Sequence, residues 1–475
     1  MSRSLLPRAG IWLGVLLSVV FPRVLVSAPG DGEATPAAEK VSGAAGKAEG
    51  EGHPGGGKDE KKKEEKPKEK LGEITAAGAT LRYLAQTGTI PVLKEDGGRL
   101  ANVFYVYYAA VDAQGRRLAS ADPSRPVMFC FNGGPGASAV WLHLGGLGPK
   151  RVQLEPEGLS PASVARVVEN PHSILDAVDL VFVDPVSTGL SRAERGEKPE
   201  QFFGVNEDIR CVGEFVRLFT TREQRWASPK YLCGESYGVT RVAGLADYLQ
   251  STHGLYAQGL VLLSGLVDFQ TILPSAGNDL PHVLFLPTLT ATAHYHGKLG
   301  PEVPAELERA VEQSRAFAQG EYASALLQGS ALSEERRREV AQKVAQWTGL
   351  SAEQVLARNL RLDVPFFRKN LLKAEGRIVG RFDGRVTGLD SAPGEIRTWY
   401  DPSYGNIAGG FSSAINAYVR GELGYESDHP YHILNPSLPW KWHNFENRYV
   451  STGERLASAL QDNPRLRVLV LCGRR

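Results

Sequence analysis

Lys230-Tyr-Leu-Cys-Gly-Glu-Ser-Tyr-Gly-Val-Thr240 decides how this chain is read. Within it, Gly234-Glu235-Ser236-Tyr237-Gly238 fits the pattern G-x-S-x-G. In that arrangement a serine sits on a strained turn between a strand and a helix, with its hydroxyl lifted clear of the sheet. A side chain at either glycine would collide where the backbone folds tightly back on itself. Glycine is abundant here, 52 of 475 residues, so the motif needs support from its surroundings.

The flanks supply it. Lys230 to Cys233 reads as a strand, and Val242, Leu245, Ala246 and Leu249 recur at helical spacing directly after Ser236. Glu207 to Phe219 reads as the helix entering that strand. Further out, Arg125–Phe131, Asp179–Val183, Gly259–Leu263 and Arg467–Leu471 are short apolar runs separated by helix-length segments. That rhythm predicts a mostly parallel sheet buried on both faces. Before it, Thr80 to Leu93 and Asn102 to Asp112 predict an antiparallel hairpin turning at Glu95-Asp96-Gly97-Gly98. Between about residues 269 and 398 the pattern becomes helical without strands: Leu307, Val311 and Ala318, then Val340, Val344 and Trp347. This predicts an insertion lying over the carboxyl ends of the strands as a cap.

Two other strand ends carry glycine-rich turns, Asn132 to Gly136 and Asp184 to Gly189. In open α/β sheets the ligand site lies outside the carboxyl ends of the strands. Acyl transfer needs backbone N–H groups aimed at the oxyanion. Gly133-Gly134 lets the main chain come close enough for the Gly134 N–H to serve, and Tyr237, after the nucleophile, supplies the second donor.

The N-terminus reads as an address. Arg3 and Arg8 precede an apolar run from Ile11 to Phe21, and Val26-Ser27-Ala28 offers small residues for cleavage, so residues 1–28 are expected to be a secretory signal. Residues 29–72 are rich in Gly, Ala, Pro, Glu and Lys and read as a disordered linker, leaving 73–475 as the folded domain. The chain is expected to be exported, periplasmic or extracellular. With 54 Lys+Arg against 53 Asp+Glu, no global field favours nucleic acid. Cys130, Cys233 and Cys472 lie in or at the end of apolar runs, so with Cys211 they are expected to be free and buried rather than bridged. His294-Tyr-His296 has no third ligand in view and reads as helix surface, and no metal or cofactor is implied.

Asn132-Gly-Gly-Pro-Gly136, Asp184-Pro-Val-Ser-Thr-Gly-Leu-Ser191 and Gly234-Glu-Ser-Tyr-Gly238, in this order, resemble the serine carboxypeptidase family of α/β-hydrolases. The resemblance runs from about Tyr105 to the C-terminus. It implies an α/β-hydrolase fold and release of C-terminal residues from peptides or proteins through an acyl-enzyme on Ser236. It also implies that Asn132, Gly133 and Glu235 hold the substrate's carboxylate, which Glu235 does only when protonated or sharing a proton.

There are departures from the family pattern. Cys130 stands where many members have tryptophan, and Ala137 where a cysteine often follows. Gly146 precedes Leu147-Gly148-Pro149, where a carboxylate that shares the glutamate's proton often lies. The family's triad aspartate follows the last strand, but the sequence ends at Arg475, so a missing C-terminal segment with the aspartate and histidine is expected. Asp401, Asp428, Asp462, His429, His432 and His443 lie downstream of Ser236, and none ends an expected sheet strand. The alternatives are a non-catalytic scaffold that binds peptide C-termini, or another acyl hydrolase or transferase on the same fold.

Overall fold

The computed structural model describes residues 66–473, apart from 77, 156–164, 392–393, 395–399, 443–444 and 447. The expected signal, most of the linker and His443 lie outside the described residues.

The sheet is built from β1 (Lys68–Ala76), β2 (Ala79–Leu93), β3 (Arg99–Ala110), β4 (Val127–Phe131), β5 (Asp179–Val183), β6 (Lys230–Glu235), β7 (Ala257–Leu263) and β8 (Arg467–Leu471). A ninth, two-residue strand, Arg192–Ala193, pairs with β3. The spatial order is β1-β2-β3-β5-β4-β6-β7-β8. Strands β4 to β8 run parallel, and β1, β2 and β3 join by antiparallel pairing. The expected hairpin is β2–β3. The first strand was not expected: Lys68–Gly72, counted by composition as linker, pair residue by residue with Ala85–Thr87 and their neighbours Leu84 and Tyr83. Charged, exposed side chains hide a strand whose order comes from backbone pairing at a sheet edge and from the buried Ile74 and Ala76.

Period-2 alternation divides the core between the two faces of the sheet. Val127, Phe129 and Phe131 of β4 face one side, where α1 (Val205–Arg222) and α2 (Tyr237–His253) bring Phe215, Phe219, Val242 and Leu245. Met128 and Cys130 face the other, against Trp141, Leu144, Phe411 and Ile415. The insertion has its own core, centred on α3 (Leu280–Tyr295) and on Val340, Val344 and Trp347 of α5 (Glu334–Thr348), with α4 (Leu307–Phe317) between them in sequence. It is not strand-free: Arg377–Val379 and Thr387–Leu389 form a small antiparallel pair. Two short strands of three residues give period-2 reading too little to detect.

After the insertion come α6 (Pro402–Asn416), on the Cys130 face, and α7 (Gly453–Asp462), which leads into β8. All four cysteines are free; Cys130, Cys211 and Cys233 are buried, whereas Cys472, past the end of the edge strand β8, is exposed. No helix among the described residues is long and apolar enough to cross a membrane.

Candidate active site

Ser236 joins β6 to α2 with φ 59° and ψ −125°, a conformation that costs an L-residue energy and persists only where the surroundings enforce it. Close packing does so here. A Cβ on Gly234 would lie 2.1 Å from the Gly238 carbonyl oxygen, and one on Gly238 would lie 2.4 Å from that of Phe131. The first turn of α2 is thereby pressed against the end of β4. Gly133 completes the contact, because its Cβ would fall 2.5 Å from the Tyr237 nitrogen and 2.8 Å from Ser236 Cβ. The glycine turn after β4 and the elbow after β6 are one packed unit, as their shared place at the strand ends predicts.

Asn132 and Glu235 meet inside it. Asn132 Nδ2 donates to Glu235 Oε2 at 2.9 Å, and Asn132 Oδ1 accepts from the Leu142 N–H at 3.0 Å, which fixes which way the amide points. The Gly133 N–H side of the turn faces the Glu235 carboxyl and favours its ionised form, while Oε1 has no hydrogen-bond partner among the described residues. Burial pushes the Glu235 pKa up to about 8, outweighing both contacts, so at neutral pH this carboxyl carries its proton. No second carboxylate is needed to keep it neutral; desolvation suffices. Cys130, in the family's tryptophan position, lies in register with Cys233 across β4 and β6.

Asp184, at the end of β5, closes the third turn. Its Oδ1 accepts from the Ala139 N–H at 2.9 Å and from the Tyr431 hydroxyl at 3.3 Å, and burial raises its pKa to about 6. Ser191 Oγ donates to the Asp184 carbonyl at 2.6 Å and accepts from the Phe104 N–H at 2.7 Å, stitching the turn to β3.

Two features escaped the sequence reading. The first is a buried ion pair, Arg241 Nε to Asp208 Oδ2 at 2.8 Å, beside the elbow. The signal was present: a charged residue on the apolar face of a helix one turn past the nucleophile. The second is a strap, residues 431–442, 445–446 and 448–452, that crosses the strand ends. His432 pairs with Gly189, Ile433 accepts from Ser138, Asn435 donates to Gly136, Lys441 to Phe203, and Thr452 to Val267. Trp440 and Trp442 of the strap pack on the Tyr237 ring, with centroids 5.4 and 6.5 Å away. Ser236 is fully buried.

The other downstream candidates have different employment. Asp401 accepts from the Ser403 N–H as the N-cap of α6, Asp462 ends α7, and the His429 carbonyl accepts from Arg420. His432 is half-buried, its pKa lowered by burial and by Arg192. His294 and His296 contact the carbonyls of Ala305 and Gly384.

A mostly parallel sheet in the order β3-β5-β4-β6-β7-β8, with β3 antiparallel and a serine elbow between β6 and α2, defines an α/β-hydrolase. Within that class the chain belongs to the serine carboxypeptidase family, whose model matches residues 87–365. It is 27 % identical over 236 residues to serine carboxypeptidase-like 50 of Arabidopsis thaliana, covering 49 % of this chain and 46 % of that protein. It is 25 % identical over 190 residues to carboxypeptidase Y of Schizosaccharomyces pombe, covering 38 % and 17 %. The chain thus spans less than half the length of these curated relatives. Among solved structures it is similar to proline iminopeptidase of Mycobacterium smegmatis (TM-score 0.25, 14 % identity, 60 % of this chain and 78 % of that one). It is also similar to an alpha/beta hydrolase superfamily protein from Enterococcus faecalis (TM-score 0.23, 15 % identity, 39 % and 49 %).

Proposed function

We propose that the chain acts as a serine-type carboxypeptidase, releasing C-terminal residues of peptides through an acyl-enzyme on Ser236. The observation that carries this reading is the Asn132–Glu235 hydrogen bond beside the elbow, with the glutamate neutral at pH 7. A neutral carboxyl donates to an anion, whereas an ionised one repels it. The substrate's terminal carboxylate would take the Glu235 proton donor and the second N–H of Asn132, with the Gly133 main chain alongside. That fixes the scissile carbonyl against Ser236.

The serine oxygen then adds to the carbonyl carbon, and the Gly134 and Tyr237 N–H groups receive the oxyanion. The C–N bond breaks, the leaving amine takes the proton that the serine hydroxyl gives up, and water hydrolyses the resulting ester, releasing the acid and returning a proton to the Ser236 oxygen. No acid or base of a triad is assigned to a described residue. The protein is proposed to be exported, with peptide or protein C-termini as its partners.

A second reading is a scaffold that binds peptide C-termini without turnover, which fits the lack of an assigned triad acid or base among the described residues. A fluorophosphonate probe separates the two. Labelling of the intact protein at Ser236, lost in Ser236→Ala, supports the enzyme, and an unlabelled wild type supports the scaffold. Equal turnover of peptides with free and blocked C-termini would overturn carboxypeptidase selectivity in favour of another acyl hydrolase.

A further inference from the structure

Arg241 lies on the first turns of α2 with its side chain 1 % exposed. Nε donates to Asp208 Oδ2 at 2.8 Å, and Nη1 donates to the Asn132 carbonyl oxygen at 2.6 Å. The guanidinium also lies over the Tyr237 ring at 5.1 Å and the Phe131 ring at 6.0 Å. The Tyr237 hydroxyl donates to the same Asp208 oxygen at 3.3 Å. One buried cation is therefore bonded to, or stacked on, both segments that form the site.

The contact with Asn132 has a particular consequence. The Asn132 C=O and the Gly133 N–H belong to one planar peptide unit. Arg241 holds the oxygen end, and the nitrogen end faces the Glu235 carboxyl, whose ionised form it favours. The Asn132 side chain returns to the same carboxyl. Polar contacts thus run from Asp208 through Arg241 to the Asn132 main chain, and from the Asn132 side chain to Glu235, so that holding this one residue sets both ends. Stability alone is a weak reason for such a pair, because apolar residues of similar volume often replace a buried ion pair at no cost. The fork of the guanidinium, by contrast, fixes two partners at a set angle.

We propose that Arg241, held by Asp208, is a positioning residue for the substrate carboxylate: it orients the Asn132–Gly133 peptide and thereby the Asn132–Glu235 pair. The inference rests on the carboxypeptidase reading of that pair. It makes Arg241 matter more for substrates with a free C-terminus than for substrates without one.

The test is calorimetric binding to the intact protein in a Ser236→Ala background, using N-acetyl-Phe-Leu and its C-terminal amide. The background protein is expected to prefer the free acid. Adding Arg241→Met should weaken acid binding by about tenfold, the effect of losing a charge-assisted hydrogen bond, and leave amide binding within about twofold. Arg241→Lys, which reaches one partner and not both, should recover part of the preference. If Arg241→Met does not fold, Asp208→Asn, which frees the guanidinium while keeping the volume, is expected to reduce the same acid-to-amide ratio. A background protein that prefers the acid, with a ratio unchanged in the variants, overturns the role of Arg241 and leaves the function standing. A background protein with no preference overturns both.

Discussion

Asn132 and Glu235, 103 positions apart in the chain, share a 2.9 Å hydrogen bond in the interior of the site. Each is placed by a turn whose glycines allow two strand ends to touch. Their relationship joins the fold to the proposed chemistry, since the amide is oriented by backbone and the carboxyl is kept neutral by burial.

Glu235 makes the pH dependence of binding calculable in sign. Its pKa rises from 4.5 to about 8, so the neutral, donating form prevails at pH 7 and is lost as pH rises through about 8. Binding of free-acid peptides should weaken across that range, and binding of amides should not. Glu235→Gln keeps a neutral donor and should retain acid binding within a few-fold while abolishing the weakening. Calorimetry from pH 6 to 9.5 checks this, and a large loss in the glutamine variant at pH 7 would show that the carboxyl acts as an anion.

The same burial affects folding. Between pH 4.5 and about 8 the folded chain holds a proton on Glu235 that the unfolded chain has released, so this residue lowers stability as pH rises through that window. The slope is about 1.4 kcal/mol per pH unit for one proton. His143 acts in the opposite sense. Buried, 2.6 Å from the Tyr108 hydroxyl and stacked on Phe182, its pKa falls to about 3. Between about pH 3 and 6.5 the unfolded chain binds the extra proton, and stability rises with pH. The two contributions oppose each other between pH 4.5 and 6.5, so urea unfolding over that interval should gain a rising slope in Glu235→Gln and a falling slope in His143→Gln.

Gly133 is predicted to be indispensable on steric grounds. Gly133→Ala places a methyl group 2.5 Å from the Tyr237 nitrogen, which moves either the elbow or the proposed oxyanion donor. Fluorophosphonate labelling of Ser236 should fall about a hundredfold, the cost of one misplaced oxyanion donor. The far-ultraviolet circular dichroism should remain that of the wild type.

Asp179 offers the converse case. It sits at the opposite end of β5, fully buried, and accepts from Arg125 at 2.7 Å, Arg225 at 2.7 Å and the Ala110 N–H at 3.0 Å. Asp179→Ala leaves two guanidiniums without their carboxylate and should cost about 3–5 kcal/mol in urea unfolding. Labelling of Ser236 in the surviving folded protein should be unchanged, because the network lies at the strand ends away from the elbow.

How much was legible follows from the range over which each feature is encoded. Strands β5 and β8 are read from their own apolar runs with the residues they have in the structure. Strand β1 is not, because its order comes from pairing with β2 and its side chains are those of a linker. The strap carries too little periodicity to announce itself, and its backbone bonds go to loops more than two hundred positions earlier in several cases. The Arg241–Asp208 pair was visible as a charge on a buried helix face, but its partner stood on another helix.

The sequence by itself determined the elbow and the sheet that presents it. A G-x-S-x-G turn is a five-residue steric problem, and strand and helix periods are local repeats. The tertiary structure alone decided what Glu235 is. Its proton affinity depends on the removal of water by residues from distant parts of the chain, and on a peptide unit held by Arg241. Desolvation is a property of the whole enclosure, and no single stretch of sequence contains it.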